Sequence, residues 1–179
     1  MRAVLDANVL FPTILREILA DLAQRGLFAP VWSDRILGEW HRAAARLGPD
    51  QDAVAGAEIA LMRLAFPQAV VAGDTGAADG LDLPDPADRH VIETALAAGA
   101  PLIITANLRD FPHHALAALR LRALHPDAFL CDLHGAAASD VTDAVEAARA
   151  KANRLGGDMS RGDMLKRLRL PRLARRLKS

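Results

Sequence analysis

A chain of 179 residues that is 51% apolar supports one packed domain with a small appendage and is too short for two full domains. Its 22 basic and 22 acidic residues cancel, and its single cysteine, Cys131, excludes an intramolecular disulfide and a thiolate metal cluster. With no run of about 18 apolar residues and no basic-then-apolar leader, a soluble, unexported, cytoplasmic protein with no membrane attachment is expected.

The opening MRAVLDANVL holds a short apolar run, Ala3-Val4-Leu5, of the kind found in buried parallel strands, and it delivers Asp6 and Asn8 at its end. Ile14, Leu15, Ile18, Leu19 and Leu22 then follow at helical spacing between Pro12 and Arg25, with Gly26 as the stop. Pro30-Val31-Trp32 is too short to assign. Ser33 suits the N-cap of a helix reaching about Leu47, whose apolar side carries Ile36, Leu37 and Trp40 and whose buried edge carries Glu39. Periodicity alone makes Glu39 an ordinary surface glutamate. Asp52 to Phe66 reads as a further helix closed by Pro67, Ala69-Val70-Val71 as a short strand, and Gly73 to Leu83 as a mobile or ligand-facing loop.

Asp85 is placed to cap a helix that has Pro86 at its first position and Asp88 at its third, so both acids have a structural explanation as cap and first-turn charge. Gly99 ends that helix. Pro101 to Thr105 is a β-branched apolar strand that delivers Thr105 and Asn107, with Asp110 close behind. Strand ends and the starts of the following helices share one edge of a parallel sheet. Asp6, Asn8, Asp85, Asp88, Thr105, Asn107 and Asp110 are therefore expected along that edge. Carboxylates gathered without bases between them stay ionised only if a cation offsets their charge, and an oxygen-only donor set suits Mg²⁺ or Mn²⁺. Metal-assisted phosphodiester hydrolysis is the chemistry that follows.

The segments VLDANVL, ILGEW, DPADRHVIETAL and IITANLRDFP resemble, in order, the four motif blocks of the PIN-domain nucleases, and within that group the VapC-type toxins of bacterial toxin–antitoxin modules. The resemblance covers roughly the first three-quarters of the chain. It implies a PIN-like α/β/α sandwich with a central, mostly parallel sheet, and a Mg²⁺- or Mn²⁺-dependent endoribonuclease acting on RNA. Position by position it implies Asp6, Glu39 and Asp88 as metal ligands and Asn107 as the fourth catalytic residue. Asn8, Asp85, Thr105 and Asp110 would support them. Many members carry an acid where this chain has Asn107, a departure that favours one metal over two. A cognate antitoxin and a homodimer are the partners it implies.

Four other readings compete with this one. A phosphatase of the haloacid dehalogenase type would need an acid where Asn8 stands, and a phospho-receiver domain would need a mid-chain strand ending in a phosphorylatable Asp. A PIN-fold RNA-processing nuclease without a toxin role, or a non-catalytic binding module, remains open. The six histidines form no HExxH pair and read as surface or packing residues, and no Gly-rich phosphate loop is present. Trp32 and Trp40 serve as readily in the core as in a stacking platform.

Downstream, a helix is expected from Phe111-Pro112 to about Leu119, an edge strand over Leu121 to Leu124, and helical turns from His125 through Leu133. Residues 1–134 would form the nuclease domain and 135–179 a basic helical extension. From Arg149 onward eleven basic residues face only Asp158 and Asp163, leaving eleven basic residues against twenty acids upstream. In the extension Val141, Val145 and Ala148 mark a helix capped by Ser139 or Asp140, Gly156-Gly157 a break, Ser160 and Asp163 a capping box, and Pro171 a final helix. Leu168, Leu170, Leu173 and Leu177 are too many apolar residues for a free tail. This segment either docks on the body or binds an antitoxin or RNA.

Overall fold

We describe residues 1–178 of a computed structural model of the chain. Four short strands form its sheet: β1 (Arg2–Leu5), β2 (Ala29–Val31), β3 (Leu102–Ile104) and β4 (Arg122–Leu124), in the order β2-β1-β3-β4 with every neighbouring pair parallel. Val4 lies opposite Val31 on one side and Ile103 on the other, and all three are fully buried. This is why the strands read as unbroken apolar runs: a central parallel strand has no solvent face to fill with polar residues. Helices flank the sheet in an α/β architecture.

A four-residue helix, α1 (Ala7–Leu10), follows β1 at once, and α2 (Thr13–Gln24) buries Leu15, Ile18, Leu19 and Leu22 along one stripe. Gly26 ends α2 with φ +81°. In α3 (Asp34–Ala45) the Ser33 hydroxyl accepts the Ile36 N–H at 3.3 Å, as its N-cap assignment requires. The next helix, α4 (Pro49–Ala65), starts three residues before the expected Asp52, because Pro49 fits the first helical position and places Asp50 and Asp52 in the first turn. α5 (Arg89–Ala98) is entered through a 3₁₀ turn over Pro86–Asp88 and left through Gly99 at φ +60°. A second 3₁₀ turn over Leu108–Asp110 leads to α6 (His113–Ala118), and α7 (Pro126–Ala136) follows β4, which is an edge strand as expected, β2 being the other.

The strand expected at Ala69–Val71 is reduced to one bridge, Val70 to Trp32, with Trp32 N–H on the Ala69 carbonyl and Val71 N–H on that of Trp32. The chain then turns inward at Gly73. A Cβ there would lie 2.6 Å from both Ser33 Cβ and Thr94 Oγ1, so this approach needs glycine and leaves no straight path for a longer strand. The loop beyond it is anchored. Glu93, buried on α5, accepts the Thr75 N–H at 2.8 Å and the Ala78 N–H at 3.2 Å, and Arg35 holds Asp74 at 2.9 Å. Within the segment expected to be a mobile or ligand-facing loop, the turn at Thr75 to Ala78 thus carries a carboxylate tether from α5.

The C-terminal chain forms α8 (Ala138–Arg154), α9 (Arg161–Arg167) and α10 (Pro171–Arg176). α8 begins one residue after the single-residue joint Ala137, so neither Ser139 nor Asp140 caps it. Ser160 does cap α9, accepting the Asp163 N–H at 3.1 Å. The extension docks on the body. Val141, Ala144, Val145 and Ala148 of α8 are buried where it packs on α2 and α7, and Met164, Leu165, Leu170 and Leu173 are buried beside them. Asp127, in the first turn of α7, accepts the Arg172 and Leu173 N–H groups, each at 2.9 Å, and so caps α10 from another element.

Candidate active site

The site begins where β1 ends. Asp6 still donates its backbone N–H to the Ile104 carbonyl at 3.1 Å, and Thr105 on the neighbouring strand still donates to Leu124 at 3.0 Å. The sheet ladder therefore fixes both residues at the same edge before any side-chain contact is made. The Thr105 hydroxyl donates to Asp6 Oδ2 at 2.7 Å, and the Asn8 amide donates to the same oxygen at 2.6 Å. Asn8 is itself oriented because its Oδ1 accepts the Ala106 N–H at 2.9 Å, and the Asn107 N–H closes on Thr105 Oγ1 at 3.1 Å. Asp6 is 6% exposed. Burial pushes its carboxyl above the ordinary range, a shift that Thr105 and the Ala7 N–H oppose and Glu39 reinforces.

Asp88 stands at the junction of the 3₁₀ turn and α5. Its carboxyl is pushed up to about 6, first by burial and then by the negative charges of Asp6, Asp85 and Asp110. Asp110 is 8% exposed; it accepts a hydrogen bond from the Asn107 side chain and lies 3.5 Å from Arg109 Nε. The residue at the fourth motif position thus brings an acid with it. Asp85 does what its capping pattern predicts, accepting the Ala87 N–H at 2.9 Å at the exposed end of the turn.

Glu39 reaches the same region from α3. Its Oε1 lies 3.0 Å from Nε2 of His90, a buried residue of α5, and 3.6 Å from Arg35 Nε. Burial raises its carboxyl, but His90, Arg35 and Arg42 outweigh that effect and the net shift is downward. His90 is the residue sequence reasoning undervalued. It packs between the acids instead of on the surface, and its two ring nitrogens have no well-directed hydrogen bond. The available signal was its place on α5 two residues after Asp88, at helical spacing from Glu93 and Thr94. Trp32 and Trp40 are core residues, 0% and 2% exposed, and offer no stacking platform.

The edge therefore gathers Asp6, Asn8, Thr105, Asn107 and Asp110 into one hydrogen-bonded set, with Asp88 and Glu39 in electrostatic reach of Asp6. Among the described residues no three His, Cys, Asp or Glu side chains stand together as a formed cation site, and Glu39 is turned toward His90. The donor chemistry nevertheless fits a hard divalent ion. The groups are oxygens, and neither Asp6 nor Asp88 has an ion-pair partner among the described residues, so their charge is left to be balanced.

Residues 2–109 match the family model described as PIN domain. A protein of Mycobacterium tuberculosis named "Putative ribonuclease VapC50" is 49% identical over 45 residues, which is 25% of this chain and 27% of that protein. The matched segment thus spans little more than a quarter of that relative's length. No solved structure matches the chain.

Proposed function

The chain belongs to the PIN-domain family, and from that premise we propose that it is a divalent-ion-dependent endoribonuclease that hydrolyses RNA phosphodiester bonds as the toxin of a toxin–antitoxin pair. The observation that carries the reading is the buried, oriented carboxylate of Asp6 with the half-buried carboxylate of Asp88 in electrostatic reach, neither balanced by an ion-pair partner among the described residues. Asp6, Asp88 and Glu39 would hold Mg²⁺ or Mn²⁺, which supplies an activated water and offsets the charge that builds on the phosphate. Around that centre the chain does the positioning. Thr105 and Asn8 occupy Asp6 Oδ2 with donors and so fix the carboxylate plane, Asn107 aligns Asp110, and His90 keeps Glu39 ionised.

The toxin role rests on the likeness to a relative whose name contains VapC, and it brings with it an antitoxin partner, a homodimer and a cytoplasmic location. Among the described residues no helix is long and apolar enough to cross a membrane. The test is cleavage of a mixed pool of structured and single-stranded RNAs with Mg²⁺, Mn²⁺ or EDTA, run beside Asp6→Asn. Cleavage that needs the ion and vanishes in a folded Asp6→Asn supports the reading. Equal activity in both proteins, or no cleavage together with no ion binding by calorimetry, overturns it. Growth arrest on expression, relieved by Asp6→Asn, separates a toxin from an RNA-processing nuclease of the same fold.

A further inference from the structure

A polyanion that approaches a buried acid cluster is repelled by it, so a nuclease of this design needs basic groups close by that grip the strand without neutralising the acids. The body is acidic overall, and its basic groups nearest the cluster, Arg35 and Arg109, stand beside the acids Glu39 and Asp110 themselves. The extension supplies the basic groups needed. A cleft of about 240 Å³ runs from the sheet edge to the extension, with Asn8 and Ala106 on one side, Arg167 and Arg169 on the other, and His125 and Pro126 between them. No carboxylate lines it. Asn8 is the residue that hydrogen-bonds Asp6 at 2.6 Å, so one wall of the cleft is a single side chain away from the acid cluster.

The extension's basic residues divide into two groups. Lys151 pairs with Glu17 at 2.7 Å, and Arg149 and Arg161 pair with Glu146 at 2.7 and 3.1 Å. These hold helices together. Arg167 and Arg169 are exposed and make no side-chain hydrogen bond or ion pair among the described residues; Lys166, Arg175 and Lys178 share that state, but only the two arginines line the cleft, and Asp127 holds the segment next to them against α7. His125 adds a donor. Its Nδ1 accepts the Asp127 N–H at 3.1 Å, which leaves the ring proton on Nε2, and burial together with Arg169 lowers the ring's basicity. The N-terminus of α7, an eleven-residue helix, begins at Pro126 in the same wall.

We propose that this cleft binds the backbone phosphates of the RNA strand next to the bond held at the acid cluster, with Arg167 and Arg169 as the phosphate ligands supplied by the extension. The proposal rests on the nuclease reading. Guanidinium forks match phosphate oxygens, and the cleft's opening beside Asn8 places its occupant on the strand being cut. An acidic protein partner is the competing occupant, and it would leave RNA affinity untouched when the arginines are removed.

The test compares wild type with Arg167→Gln/Arg169→Gln on a fluorescein-labelled single-stranded 20-mer RNA. Binding is read by anisotropy in EDTA across a salt series, and cleavage is read with Mn²⁺. The expected result is a rise in KM of about 10- to 100-fold with kcat little changed, and a salt dependence of binding shallower by about 1.4 in log–log slope, about 0.7 for each lost phosphate contact. Arg169 sits at φ +57°, a conformation that favours glycine, so Arg169→Gly should raise the thermal midpoint while weakening RNA binding. A residue with only a structural role would not separate those two readouts. Unchanged KM and salt slope in the double variant, with wild type cleaving, overturn the cleft and leave the nuclease intact. RNA binding that depends on the arginines in a protein that neither cleaves nor binds a divalent ion upholds the cleft and removes the nuclease reading.

Discussion

Where α2 meets α8, charges come in pairs: Lys151 lies 2.7 Å from Glu17, and Arg25 bridges Asp21 at 2.9 Å and Asp140 at 3.2 Å. Along the C-terminal edge of the sheet two carboxylates lack such partners. There Asp6 and Asp88 are partly or wholly buried without a basic partner, and both carboxyls are pushed up. Folding alone would select against the second arrangement, since an unbalanced charge in a low-dielectric setting costs stability that an ion pair on a helix seam does not. The contrast separates charges that hold the fold together from charges kept for a ligand of opposite sign. Arg167 and Arg169 are the basic counterpart of the same pattern, unpaired where Arg149, Lys151 and Arg161 of the same extension are paired.

Substitutions should behave differently on the two sides of that contrast. The largest effect belongs to Asp6→Asn, which should lower RNA cleavage by about 10³-fold or more while the far-ultraviolet circular dichroism stays that of wild type. Thr105→Val removes the hydroxyl that donates to Asp6 and accepts from Asn107. It should cost about 1–3 kcal/mol in urea unfolding and lower kcat as Asp6 loses its fixed plane. Asp127→Ala releases both N–H groups of α10 and should cost about 1.5–3 kcal/mol in the same assay, with KM for RNA rising because the arginine wall is no longer held. On the seam, Lys151→Ala should cost under about 1 kcal/mol, less still at high salt, and leave cleavage unchanged.

pH sharpens the comparison further. Asp88 titrates at about 6 in the folded chain against an ordinary 3.8, so the folded state binds this proton more tightly than the unfolded state does. Its ionised form therefore destabilises the fold above about pH 6, and the penalty fades as pH falls through 6 and is gone below 3.8. Without divalent ions Asp88→Asn should melt above wild type at neutral pH, and the gap should close by about pH 4. A paired carboxylate would give the opposite trend.

What could be read in advance follows the range of the interactions involved. β1 and β3 were legible because a buried parallel strand leaves a continuous apolar run, and Ser33, Gly99 and Ser160 because caps are decided within a few residues. The placing of Asp6 and Thr105 on one edge followed from strand ends alone. The bridge at Val70 was over-read as a strand because the inward turn at Gly73 depends on Ser33 and Thr94, distant in the chain. His90 facing Glu39, Glu93 tethering its loop and Arg167 reaching the sheet edge all depend on how helices pack, which local pattern does not encode.

The central claim is that the acid cluster is completed by a cation. It is tested most directly by the thermal midpoint of wild type, Asp6→Asn and Asp88→Asn, each measured with rising Mn²⁺ or Mg²⁺. An ion bound by the folded state alone should raise the wild-type midpoint progressively with concentration, and the rise should be lost or strongly reduced in both variants. A wild-type midpoint that does not move, or one that moves equally in all three proteins, would contradict the account.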